Sequence, residues 1–275
     1  MDFSIGLEYN PMRKLNRTTT LLKQLMAEAV GLARHARKIG ADAVMLVGPY
    51  YEEPSEAELR GYVEAVAGDG GLPVLLYNNP AGTGYSLSTA FIASLARIPG
   101  VVAIKDTTHQ AARIEELRHL CGNRIQLLSG QDTLQFIGLV AGARAAIWGA
   151  PNAVPRACAE LFERIAVRGD VAGGRALWDR LYPVNRFLET EGYVAAVKAG
   201  ATIRGLKLGD PRLPIKPLPA AAKARLANLT ARLDRSEEHT SELQSRRKLV
   251  FRFLLEKYNE NVSDFFPIFL YFDSH

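Results

Sequence analysis

Lys105 sits in the run VVAIKDTT, residues 101–108, directly behind four apolar residues. A strand of that composition is buried, and low dielectric penalises a buried ammonium. Such a lysine can pair with a carboxylate, Asp106 being the nearest in sequence, or extend its amine to the rim. Alternatively, desolvation lowers its pKa, so that neutral amine is available to attack a carbonyl. The resulting iminium ion is an electron sink that stabilises a carbanion on the neighbouring carbon, which makes or breaks C–C bonds without a metal. Tyr77 ends an earlier apolar run, in LPVLLYNNPAGTG. Adjacent parallel strands lie about 4.8 Å apart, which brings the Tyr77 phenol within reach of a substrate on Lys105 and suits it to a proton relay. Other residues at the ends of apolar runs are Tyr50 and Tyr51 in GPYYEEPS, Ser129, Gly130 and Asp132 in LLSGQD, and Ile147, Trp148 and Gly149 in IWGAPN. The set holds one amine and several phenols, and no metal-ligand constellation. His35, His109 and His119 read as surface residues, and NNPAGTG reads as a turn.

The elements that carry these residues repeat one theme. Short β-rich runs fall at 43–47 (AVMLV), 74–77 (VLLY), 101–104 (VVAI), 125–128 (IQLL) and 145–148 (AAIW). Between them, helical periodicity covers 26–38, 55–67, 86–96 and 111–120, and only helices follow the fifth run, at 155–167, 171–187, 194–206 and 220–233. Strands alternating with helices predict an α/β fold of parallel βαβ units, and the repetition favours a (β/α)8 barrel. Five strands do not close eight, so the expectation is an incomplete barrel of about five parallel strands plus C-terminal helices. The expected divisions are a non-homologous segment at 1–25, a partial barrel at 26–169, a helical region at 170–234 and a foreign tail at 235–275. The tail places eight aromatics in its last 25 residues, and RSEEHTSELQS resembles an in-frame translation of a sequencing-adapter oligonucleotide.

Composition limits the function. A 48% hydrophobic content over 275 residues describes a globular chain with a substantial core. The 34 Lys and Arg against 29 Asp and Glu leave a formal charge of +5, but the basic residues are scattered. No nucleic-acid partner is therefore expected, whereas small anionic substrates such as carboxylates fit. Two cysteines without CxxC spacing point to a reducing compartment. No run approaches the ~18 apolar residues of a membrane span, and the N-terminus lacks the apolar stretch of a signal peptide, so the expected location is the cytoplasm, with no membrane partner.

ARHARKIGADAVMLVGPYYEEPS, LPVLLYNNPAGTG, GVVAIKD, LLSGQD, IWGAPNAVP and FLETEGYVAAVKAG together resemble the dihydrodipicolinate synthase / N-acetylneuraminate lyase family, class I pyruvate-dependent aldolases on a TIM barrel. The resemblance extends from about residue 27 to 233. It implies Lys105 as the Schiff-base nucleophile for pyruvate or another small 2-keto acid, Tyr77 as proton donor and acceptor, and no cofactor beyond the covalent imine. It further implies Gly130 and Ile147 as keto-acid pocket residues, Tyr51 in a proton relay across a subunit interface, and a homotetramer. Two departures stand out. The family's first three strands, with their threonine-bearing GTTGE-like loop, have no counterpart, and Thr18, Thr19 and Thr20 do not supply one. Gly82 occupies the place of the synthases' usual substrate-gripping arginine, which argues against aspartate semialdehyde as the second substrate. The alternatives are a 2-keto-3-deoxy sugar-acid aldolase or dehydratase and a catalytically inactive truncated paralogue.

Overall fold

The structure, a computed structural model, describes residues 14–206 and 208–237, with side chains from 25 to 233. Five strands, β1 (Val44–Val47), β2 (Val74–Asn78), β3 (Val101–Asp106), β4 (Gln126–Ser129) and β5 (Ala145–Ala146), form one parallel sheet in sequence order. Between them run α1 (Lys14–Lys38) before β1, α2 (Glu56–Asp69), α3 (Pro80–Thr83) and α4 (Thr89–Leu95), α5 (Ala112–Cys121) and α6 (Gln135–Val140). After β5 the described regular elements are helices, among them α7 (Pro155–Phe162), α8 (Val171–Thr190), α9 (Tyr193–Ile203) and α10 (Ala220–Glu237). This is the expected α/β architecture of a TIM-barrel family with the barrel left open.

Local chemistry sets the joints. Ser55 opens α2 with a capping box, in which Glu58 donates its backbone N–H to Ser55 Oγ at 3.3 Å and the Ser55 N–H donates to Glu58 Oε2 at 2.8 Å. Ser88 caps α4 by accepting from the Phe91 N–H at 3.0 Å. Gly40, at φ +90°, turns α1 into β1 through a conformation that a β-carbon would strain.

The elements differ from the sequence expectation in particulars. α1 begins at 14 rather than 26. The NNPAGTG turn contains the single-turn helix α3, and α6 lies where no element was expected. The last turn of the 155–167 helix widens over Glu163–Val167. The expected tail boundary at 235 falls inside α10, and residues 238–275 lie outside the described ones.

The sheet divides the core. One face packs Leu46, Val74, Leu76, Ile104 and Leu127 against α1, α2, α4 and α5. The other carries the patch Leu75, Ala103, Leu128, Ala145 and Ile147. The C-terminal helices enclose a third cluster around Leu161, Trp178, Leu181 and Leu188.

A register irregularity decides which face Lys105 occupies. Val74 pairs with Val101, but Leu75 pairs with Ala103, so Val102 is one extra residue in β3. In-register neighbours on parallel strands share a face. The bulge therefore puts Lys105 beside Tyr77, and Leu128 and Ala145 complete that row. Without it, Ile104 would face Tyr77 and Lys105 would point toward the helices. Among the described residues β1 pairs with β2 alone, and on this same face its Met45 and Val47 are 38% and 40% exposed.

Candidate active site at Lys105

Lys105 lies inside β3 rather than beyond its end, and only 8% of it is exposed. Alternation places Ala103 beneath it on the same face, within the apolar patch of Leu75, Leu128 and Ala145. Burial there lowers the amine from 10.5 to about 8, and the negative charge of Asp132 partly opposes the fall. Asp106 is not its partner. That carboxylate faces the opposite side of β3, where Oδ2 accepts from Arg113 Nη2 at 3.2 Å and from Asn78 Nδ2 at 3.0 Å, and Oδ1 accepts from the Thr108 N–H at 3.0 Å. Arg113 also donates to the Leu87 carbonyl at 2.7 Å, and Asn78 Oδ1 accepts from the Leu87 N–H at 3.1 Å. This network ties the ends of β2 and β3 to the loop before α4, and leaves Lys105 free of the adjacent carboxylate.

Tyr77, one strand away, presents its ring to the amine, with Lys105 Nζ 4.1 Å from the ring centroid. Burial raises the Tyr77 phenol above its ordinary value, and a hydrogen bond with Thr107 opposes that rise. The phenol is accordingly protonated at neutral pH. Gly130 follows β4 and leaves room for the lysine stem: a β-carbon there would lie 2.5 Å from Thr107 Cγ2 and 2.7 Å from Lys105 Cε. Ile147 is 2% exposed, sits in the apolar patch, and donates its N–H to Ser129 O at 2.9 Å. Lys105, Tyr77, Gly130 and Ile147 thus share one end of one sheet face.

Gly82 and Tyr51 lie in the segments that follow β2 and β1. Gly82 lies in α3, where a β-carbon would come within 2.5 Å of Asn79 Nδ2, and the Asn79 side chain accepts from Thr107 Oγ1 at 3.3 Å. Tyr51 follows β1 with 91% of its surface exposed, and Tyr50 with 74%.

The structure adds residues whose role the sequence did not disclose. Asp132 is 2% exposed, and its carboxylate accepts from the Ala150 N–H at 3.0 Å, the Gly149 N–H at 3.3 Å and the Tyr193 hydroxyl at 2.7 Å. Burial, helped by the charge of Glu189, raises it to about 6 against the pull of these bonds. Glu189, on α8, accepts from Gln131 Nε2, from the Thr133 N–H at 2.9 Å and from Thr133 Oγ1 at 2.8 Å. Tyr193, on α9, is raised well above the ordinary phenol range, chiefly by burial and by the Asp132 charge. The segment FLETEGYVAAVKAG holds both Glu189 and Tyr193, but their partners lie 56 to 61 residues earlier. Among the described residues no group of three or more His, Cys, Asp or Glu is placed to hold a metal ion, and no helix is long and apolar enough to cross a membrane.

Residues 24–232 match the model of the dihydrodipicolinate synthetase family. The chain is 36% identical over 199 residues to the 4-hydroxy-tetrahydrodipicolinate synthase of Pelobacter propionicus, covering 72% of this chain and 68% of that protein. It is 34% identical over 193 residues to the enzyme of the same name from Rhodopseudomonas palustris, covering 70% and 65%. It thus spans about two thirds of the length of these relatives. Among solved structures, the dihydrodipicolinate synthase of Acinetobacter baumannii complexed with pyruvate superposes with a TM-score of 0.71 at 30% identity, over 76% of this chain and 72% of that one. YagE of E. coli K12, a prophage protein of the same family in complex with pyruvate, gives 0.68 at 30% identity over 76% and 72%. The match covers the strands, the apolar face and the helices that surround Lys105, and the chain belongs to the dihydrodipicolinate synthetase family.

Proposed function

We propose that this chain is a class I aldolase-type lyase that forms an imine between Lys105 and a small 2-keto acid such as pyruvate. One observation carries the reading. Lys105 is a buried amine, lowered to about 8, held over the Tyr77 ring and free of Asp106. One pH unit below its pKa about one amine in ten is neutral, whereas an amine at 10.5 is neutral at pH 7 in only about one molecule in three thousand. The Nζ lone pair bonds to C2 of the keto acid, the C2–oxygen bond breaks, and the oxygen leaves as water. The iminium then takes up the electron pair released when a proton leaves C3, and the enamine carbon attacks an aldehyde. Tyr77 moves the protons. The covalent imine supplies the electron sink, so the reading requires no metal or other cofactor. Ile147 and Gly130 flank the keto acid.

Gly82 supplies no guanidinium to clamp a second carboxylate. This favours a partner other than aspartate semialdehyde, and with it a 2-keto-3-deoxy sugar-acid aldolase or dehydratase as the alternative substrate assignment. The exposure of Tyr50 and Tyr51 supports a homo-oligomer in which a second copy covers them, a tetramer in the family pattern, working in the cytoplasm. A catalytically impaired chain is the second reading, favoured by the open β1 edge and the exposed Met45 and Val47 on the face that carries Lys105. Deuterium exchange at the pyruvate methyl group, followed by proton NMR, decides between them. An enzyme forming the imine and enamine exchanges the methyl protons in a Lys105-dependent way, and a folded chain that leaves them unexchanged is the impaired paralogue.

A further inference from the structure

Lys105 stands between two walls, one from each neighbouring strand. On the β2 side the Tyr77 ring centroid lies 4.1 Å from Nζ. On the β4 side Gly130, the residue after the strand, lies against the lysine stem. A β-carbon there would come within 2.7 Å of Lys105 Cε and 2.9 Å of Cγ. The first wall is part of the sheet, but the second stands where the chain leaves it. The Gly130 N–H still donates to the Asp106 carbonyl at 3.2 Å, and beyond that bond side chains hold the turn. Gln135 Nε2 donates to the Gln131 carbonyl at 3.0 Å, and Asp132 turns its carboxylate to Gly149, Ala150 and Tyr193. The remaining grip comes from α8, where Glu189 spans the turn. Its Oε1 accepts from Gln131 Nε2 and from the Thr133 N–H at 2.9 Å, and its Oε2 accepts from Thr133 Oγ1 at 2.8 Å.

We propose that Glu189 is a positioning residue for Lys105, acting through the turn Gln131–Thr133 and the Gly130 wall. One carboxylate closes the turn by holding the residues on both sides of Asp132, and this fixes where Gly130 stands. Gly130 in turn keeps the lysine stem on the Tyr77 side, so that Nζ has one place to be. Reacting groups are held by neighbours that are themselves held, and a misplacement of about 1 Å can cost about 100-fold in rate. The C-terminal helices thereby contribute to the site without touching the amine. The consequence for the rate of imine formation rests on the proposed function, whereas the placement of the lysine does not.

The test reads the lysine's position and its reaction separately. The full chain is isotopically labelled at the lysine Cε, and Lys105→Met assigns the Lys105 signal by its loss. In wild type the Tyr77 ring current shifts the Lys105 ε-protons upfield of those of exposed lysines such as Lys216. Glu189→Ala, checked for folding by circular dichroism, should move that signal toward the exposed lysines. It should also slow formation of the borohydride-trapped adduct at saturating pyruvate by about 10- to 100-fold. The pyruvate concentration giving half the maximal rate should change by less than about twofold, because binding is not what the turn supplies. Glu189→Gln should restore both readouts, since its amide oxygen still accepts from Gln131 and the Thr133 N–H while its amide nitrogen donates to Thr133 Oγ1. An unmoved Lys105 signal in folded Glu189→Ala overturns the proposal, and so does a moved signal with an unslowed adduct. A Gln variant as impaired as the Ala variant overturns it too, because charge and not geometry would then be operative. Should Glu189→Ala not fold, Thr133→Val removes one donor alone: a smaller displacement in the same direction supports the proposal, and an unmoved signal overturns it. A wild-type chain that gives no adduct would refute the proposed function, and the displacement of the Lys105 signal would still decide whether Glu189 places the lysine.

Discussion

Lys105 Nζ stands 4.1 Å from the centroid of the Tyr77 ring. The face of an aromatic ring attracts a cation by about 0.5 to 2 kcal/mol, more when both are desolvated. The ring thus favours the ammonium and the later iminium while burial favours the neutral amine, and burial is the larger effect, since the amine is lowered to about 8. The ring and the hydroxyl of Tyr77 therefore do separable things.

Tyr77→Phe keeps the ring under the amine and removes only the proton carrier. Imine formation with pyruvate, read as reducible adduct, should persist. Methyl-proton exchange should fall about 10²- to 10⁴-fold, the usual contribution of a positioned acid–base group. Equal loss of adduct and exchange would mean that the hydroxyl serves binding and not proton transfer.

Lys105→Met replaces a buried amine by an apolar chain of similar volume. The folded amine is lowered from 10.5 to about 8, so the folded state carries a charging penalty that is complete below pH 8 and fades as pH rises to 10.5. The variant should gain on the order of 3 kcal/mol at pH 7, with the gain shrinking across that window. Urea unfolding of both proteins at pH 7 and near pH 10 measures it. A destabilised variant at pH 7 would mean that the amine is better solvated or paired than its burial indicates.

Val102 is the extra residue that sets the face of Lys105. Deleting it should restore a simple register, turn Lys105 toward the α2 and α4 side, and abolish adduct formation, whereas Val102→Ala, at a 41% exposed site, should leave it intact. Adduct retained on a folded deletion variant would show that the strand end adjusts without the bulge.

Arg113 and Asp106 form an ion pair at 3.2 Å with side chains 13% and 9% exposed. Arg113→Ala leaves that carboxylate buried, with only neutral donors, and should cost about 3–5 kcal/mol. Chemical denaturation at pH 7 gives the value directly. A cost below about 1 kcal/mol, the range of exposed pairs, would mean that water replaces the guanidinium.

All five strands were legible because buried parallel strands are continuous apolar runs, and Lys105 and Tyr77 were legible because a polar residue in such a run is conspicuous. The face of Lys105 was not, since VVAIKD reads the same with or without a bulge at Val102. Asp132 and Tyr193 were visible only as separate residues: a hydrogen bond across 61 positions leaves no local pattern. α3 lay hidden in a turn-like string, and α6 in QFIGLV, six residues that suit a strand as well as a helix.

If Lys105 is the nucleophile, borohydride traps it as a covalent adduct of the keto acid. The full chain is incubated with pyruvate, reduced, digested and mapped by mass spectrometry. The expected product is one carboxyethyl adduct, on Lys105, absent without pyruvate and absent from Lys105→Met. An unmodified Lys105 in a chain shown to be folded, or an adduct on any other lysine in its place, would contradict it.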